Sequence, residues 1–145
     1  MELQFSFRNT TVQPHTISLK LLVEQLILSF QPIAVRHGSV ILNDVPVDLY
    51  VNADKDILVK VISSLLSSVI SSSRNSYIRI NTKRYNNIIL LHLKDSNTAF
   101  TYSSIDDWQE INMLAGKLGG CIIEDEIRKK HGTLTFSFCS MANAA

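Results

Sequence analysis

Between Asp54 and Ser73 the residues Leu58, Val61, Ile62, Leu65, Leu66 and Val69 return every three or four positions, and only a helix puts all six on one side. The stripe runs unbroken for about four turns. A face that apolar has to be buried, so this segment predicts a helix packed on a larger surface, with Asp54 as its N-cap. The other side carries Ser64, Ser68, Ser71 and Ser72. Small hydroxyl residues there either let a neighbour pack closely or line a polar hollow.

The remaining segments supply that surface. Leu3, Phe5 and Phe7 alternate with polar residues as a short strand, and a turn follows through Pro14. Ser18 or Thr16 then caps a first helix, with Leu19, Leu22, Val23, Leu26, Ile27 and Phe30 along one face until Pro32 interrupts it. Ser39 to Leu42 and Val47 to Val51 predict a hairpin about Asn43-Asp44. A second hairpin joins Tyr77–Thr82 to Ile88–Leu93 at Tyr85, Asn86 and Asn87. A third helix covers Ile105 to Leu118, with Trp108, Ile111, Leu114 and Ala115 inward, and Gly119-Gly120 ends it. Cys121–Ile127 and Thr133–Cys139 form the last hairpin. The order β, α, β, β, α, β, β, α, β, β predicts an α+β fold. It is a two-layer sandwich in which three helices cover one face of a mixed, mostly antiparallel sheet, with residues 1–145 as a single domain.

Composition narrows the function classes. At 145 residues with 46% hydrophobic and 19% charged residues, the chain is that of an ordinary folded domain, neither disordered nor held by disulfides. A net charge of +1, with Lys and Arg interspersed among Asp and Glu, argues against a nucleic-acid partner. The cluster Arg128, Lys129, Lys130 and His131 reads as a solvated hairpin tip. MELQFSFRNT has neither a basic region nor an apolar one of the secretory kind, and no uninterrupted apolar run is long enough to span a membrane. A cytoplasmic protein without membrane contact is expected. Cys121 and Cys139 suit reduced, buried small hydrophobes; were their hairpin to turn near Lys130, they would stand almost opposite each other. His15, His37, His92 and His131 include no pair at metal-ligand spacing, and none heads the helical hairpin that a phospho-accepting histidine needs. No metal site and no catalytic residues are assigned.

Several segments carry a family likeness. LKLLVEQLILSFQPIAVRHGSVIL, VNADKDILVKVISSLL, LAGKLGGCIIEDE and HGTLTFSF, taken in order, resemble the histidine-kinase-like ATPase domain nearly end to end. That fold is shared by sensor histidine kinases, anti-sigma-factor kinases, heat-shock-90 chaperones and gyrase-type ATPases. The resemblance implies a nucleotide pocket whose elements can be compared singly. In the family two asparagines lie four residues apart on the second helix, and one coordinates magnesium between the phosphates. Asp56 and the double leucine align those positions with Ser64 and Ser68.

The family's next element is an Asp followed by two glycines at alternate positions, the carboxylate accepting from the adenine amino group. Here the segment is Asp95, Ser96, Asn97, Thr98, Ala99, which keeps the acid and fills both glycine positions. Asp95 is an adenine acceptor on this reading and an ordinary turn residue on the other. A lid and a glycine-rich helix start should follow, yet Gly is absent from Asp95 through Asn112, and Asp106 and Asp107 stand where a triphosphate would meet backbone N–H groups. The last strand offers Thr133 after Gly132, although strand alternation with Leu134, Phe136 and Phe138 turns Thr133 away if the phenylalanines are buried.

The resemblance therefore implies a vestigial nucleotide pocket of Asp95, Ser64, Ser68, Asn97 and Thr133, with no cofactor bound. Such a domain would act without phosphoryl transfer, as a protein-binding or regulatory module in bacterial two-component-like signalling. Its partner would be a response-regulator receiver or a sigma-factor regulator. The alternative is a working ATP- and magnesium-binding kinase of the histidine or anti-sigma serine type.

Overall fold

A computed structural model describes residues 15–96, 108–124 and 132–141. The strand expected around Leu3, Phe5 and Phe7 lies outside these residues, as do Asn97, Ala99, Asp106, Asp107 and the hairpin tip. The described chain runs β1 (His15–Ser18), α1 (Leu19–Arg36), β2 (Val40–Asn43), β3 (Tyr50–Ala53), α2 (Lys55–Ser72), β4 (Tyr77–Tyr85), β5 (Ile88–Asp95), α3 (Trp108–Lys117), β6 (Cys121–Glu124) and β7 (Gly132–Cys139). Five strands form one sheet in the order β2-β4-β5-β7-β6, parallel only at β2–β4, and β1 pairs with β3 in a small antiparallel sheet. This is the expected mixed, mostly antiparallel arrangement with three helices.

Alternation along the sheet sets the layers. Ile78 and Ile80, Ile89, Leu91 and Leu93, and Leu134, Phe136 and Phe138 are all fully buried, and they meet the helices. Their neighbours Arg79, Lys83 and Lys94 point to the opposite face and stay exposed. Against the buried face lies α2. Asp54 caps it by accepting from the Ile57 N–H at 3.1 Å, and all six stripe residues, with Ile70, are withdrawn from water.

Helix α1 begins at Ser18, whose hydroxyl accepts from the Leu21 N–H, which decides between the two expected caps. It does not stop at Pro32. The helix passes through to Arg36 and ends at Gly38, whose φ of +69° allows a Schellman turn: Ser39 N–H reaches Ala34 O at 2.9 Å and Gly38 N–H reaches Val35 O at 3.0 Å. Gly119, with φ of +77°, closes α3 the same way, Gly120 N–H donating to Ala115 O.

The expected hairpin of residues 39–51 does not form. Instead β2 runs parallel to β4, and β3 pairs with β1. In the connecting loop Val45 and Leu49 enter the core, Asn43 Oδ1 accepts from the Val45 N–H, and Lys20 Nζ donates to the carbonyls of Asn43 and Val45. Burial of those two side chains outweighs a tight Asn-Asp turn, which lacks the glycine such turns favour. Asn52 of β3 then joins the end of β7 through its N–H to Ser140 Oγ and its Nδ2 to Met141 O. The hairpin β4–β5 is as expected, turning at Asn86-Asn87 with Asn86 at φ +55°.

In the β6–β7 pair Cys121 faces Ser137, not Cys139. Both thiols are free; Cys121 Sγ lies 3.7 Å from Ser137 Oγ and Cys139 Sγ 3.5 Å from Gly119 O. Gly120 packs directly on the backbone of β7, and a Cβ there would collide with Ser137 O and Phe138 Cα, whereas one on Gly116 would meet nothing. Gly120→Ala is therefore expected to destabilise the fold by about 1–3 kcal/mol or more, and Gly116→Ala to stabilise it by up to about 1 kcal/mol. Urea unfolding of the two variants checks both signs.

Candidate functional site

The apolar side of α2 is buried against the sheet, so its polar side is left to face the gap between α1 and α3. Lys60, Ser63, Ser64, Ser67 and Ser68 recur there at helical spacing. Together with Phe30 of α1 and Glu110 and Ile111 of α3 they line a hollow of about 360 Å³. Ser64 and Ser68, named from the sequence, thus both line this hollow. Ser71 is exposed outside that lining, and Ser72 is half-buried beyond it.

Two hydroxyls of α2 are directed along the helix. Ser68 Oγ donates to Ser64 O at 3.1 Å and Ser72 Oγ to Ser68 O at 3.0 Å, each bonding back one turn. Lys60 and Glu110 add one charge of each sign to the lining. What the hollow offers a ligand is short hydroxyls, one ammonium, one carboxylate and the apolar surface of Phe30 and Ile111. Sequence reasoning missed Lys60, Ser63, Ser67, Phe30, Glu110 and Ile111. The polar face of α2 was legible as the complement of its apolar stripe, but the contributions of α1 and α3 depend on packing.

Asp95 ends β5 on the helix-facing side and is fully buried, opposite Ile78 and Gly132 in the sheet register. It is not among the residues that line the hollow. Asn97 lies outside the described residues. Thr133 stands apart: Leu134, Phe136 and Phe138 fill the core, so Thr133 projects from the other face of the sheet, beside exposed Lys94. Of its two alignments, strand alternation prevails.

On that outer face His92 bonds through Nδ1 to Thr135 Oγ1 at 2.9 Å, while Nε2 is buried with no hydrogen-bond partner among the described residues. Burial, then the charges of Lys83 and Lys94, lowers its pKa below the ordinary histidine value. Among the described residues no group of three or more His, Cys, Asp or Glu could hold a metal ion, and no helix is long and apolar enough to cross a membrane.

With the layers, register and hollow in place, the architecture is that of a histidine-kinase-like ATPase domain. Solved structures carry the same fold. The histidine kinase AdeS of Acinetobacter baumannii superposes with a TM-score of 0.78 at 14% identity, over 91% of this chain and 70% of that one. The catalytic domain of the histidine kinase ThkA superposes with a TM-score of 0.74 at 15% identity, over 88% of this chain and 96% of that one. ThkA in complex with the response regulator protein TrrA gives 0.73 at 13% identity, over 91% of this chain and 43% of that one. No protein-family model matches the chain, and no curated protein matches its sequence.

Two expectations follow. Because Ser64 and Ser68 sit in a helix interior, where serine is a poorer helix former than alanine, and the Ser68 hydroxyl bonds back to the Ser64 carbonyl, Ser64→Ala and Ser68→Ala should each stabilise the fold by about 0.5 kcal/mol in urea unfolding. A site that needed the hydroxyls for its own integrity would give the opposite sign. For His92 the folded pKa lies below the unfolded one, so its contribution is intact above about pH 6.5 and is lost as pH falls through the folded value. The wild type should therefore lose more melting temperature between pH 7.5 and pH 5 than His92→Gln does, by differential scanning fluorimetry.

Proposed function

We propose that this chain is a kinase-fold domain that no longer handles ATP and serves as a cytoplasmic docking or regulatory module in two-component-like signalling. The observation that carries the reading is the hydroxyl of Ser68. At a helix position where the resembling family presents a carboxamide to magnesium, this chain has a short side chain that donates to the carbonyl of Ser64. A hard cation needs several oxygens presented into the cavity, and the Ser68 hydroxyl is turned along the helix. The filled positions Asn97 and Ala99, and the carboxylates Asp106 and Asp107, support the same reading from the sequence. ATP and magnesium therefore do not fit the residues present, and no phosphoryl-transfer step is assigned.

A protein partner follows from the fold's usual setting. ThkA has been seen in complex with a response regulator, which supports a receiver domain as the kind of partner this surface takes. A sigma-factor regulator is the other candidate. One observation favours the rival kinase reading: Asp95 is fully buried on the helix-facing side of β5, in keeping with an acid that reads adenine.

Thermal unfolding with Mg-ATP or Mg-ADP separates the two. A ligand at a hundred times its dissociation constant stabilises by about 2.7 kcal/mol, or on the order of 10 °C for a chain this size. The expected result at millimolar nucleotide is no shift; a clear rise in melting temperature would restore the kinase reading.

A further inference from the structure

Beyond the serine-lined hollow, the first turn of α2, the end of α3 and the end of β7 surround a second cavity of about 500 Å³. Its lining is mostly apolar, with Ile57, Leu118, Cys139 and Met141 on its walls and Asp54 and Lys117 as its two charged residues. Ile57 and Cys139 are half-buried and Met141 is 44% exposed, so these walls still meet solvent. The chain itself leads to this place. β1 runs antiparallel to β3 with His15 opposite Ala53, and Ala53 also lines the cavity. Followed backwards from His15, the chain therefore leaves β1 in the direction in which β3 passes into α2 through Asp54. Upstream stand Leu3, Phe5 and Phe7, which lie outside the described residues. A segment with that alternation has one apolar side to bury. Phe7 is eight positions before His15, a tether of at most about 28 Å, enough to cross a cavity that begins beside Ala53.

We propose that residues 3–7 of this chain dock in the second cavity, with Phe5 and Phe7 seated among Ile57, Leu118, Cys139 and Met141. Tethering favours this occupant over a foreign one. Held at His15, the segment meets the cavity at an effective concentration on the order of a millimolar, against which any free ligand must compete. Charge matches in order along the chain. Arg8, on the His15 side of the phenylalanines, comes to Asp54 at the entry, and Glu2, on their far side, comes to Lys117 across the cavity. Lys55 and Asp56, exposed in the same turn as Asp54, are of opposite sign and leave that match unchanged. The docking does not depend on the nucleotide reading, because the lining shares no residue with the serine-lined hollow.

Because Cys139 lines the cavity, its thiol reports the docking. In the full chain carrying Cys121→Ser it is the one cysteine left, and its alkylation by iodoacetamide can be followed by mass spectrometry. The expected result is slow labelling in that parent, labelling several-fold faster when Phe5→Ser and Phe7→Ser are added, and the parent rate when Gln4→Ser and Ser6→Ala are added instead. Far-ultraviolet circular dichroism verifies the fold of each variant. Disulfide trapping in the same background then fixes the side that faces inward: under air oxidation Phe5→Cys should bond to Cys139 within one chain, and faster than Ser6→Cys does. A labelling rate that the phenylalanine substitutions leave unchanged overturns the proposal. So does a Ser6→Cys bond that forms as fast as the Phe5→Cys one, and so does a bond that joins two chains at every dilution.

Discussion

The burial of one side of α2 between the sheet and its neighbouring helices is the contact on which the rest of the molecule depends. Leu58, Val61, Ile62, Leu65, Leu66, Val69 and Ile70 are withdrawn from water together. Each is worth about 1.5–3 kcal/mol, so the set is of the same order as the whole net stability of a domain. With α2 held in that rotation, the isoleucines of β4, the leucines of β5 and the phenylalanines of β7 must face it. The opposite faces of those strands are then left to Arg79, Lys94, Thr133 and Thr135.

The same rotation makes the hollow. A helix whose apolar side is fully engaged presents its polar side outward, and α1 and α3 become walls. The lining is a consequence of packing, whereas its chemistry is a matter of which residues occupy that polar side. Here they are Lys60 and four serines, with Glu110 across the gap. The fold and the chemistry are separable for this reason, and a likeness in backbone to AdeS or ThkA speaks to the first of them.

Much of the fold was legible because its signals are local. The apolar period of α1 and α2, the caps Ser18 and Asp54, the β4–β5 turn and the Gly119-Gly120 stop each depend on a few neighbouring residues. Errors arose where a distant partner decided. Pro32 reads as a break, yet Gly38 supplies a better terminus further on. Residues 39–51 read as a hairpin, but Val45 and Leu49 are more stable in the core than their segment would be folded on itself. The hydroxyl pair Ser64 and Ser68 could be placed on one helix face from spacing, whereas Thr133 needed the burial of Phe136 and Phe138 to settle its side.

By itself the sequence determined the helices, most of the strands, the two-layer class and the polar face of α2, since side-chain period and capping act within a few residues. Tertiary structure alone decided that β2 lies parallel beside β4, that β3 joins β1, that Cys121 faces Ser137, and that Phe30, Glu110 and Ile111 complete the hollow. Those outcomes depend on which apolar surfaces meet across the whole chain. No local pattern encodes that choice, because the free energy that makes it comes from burial shared among segments far apart in sequence.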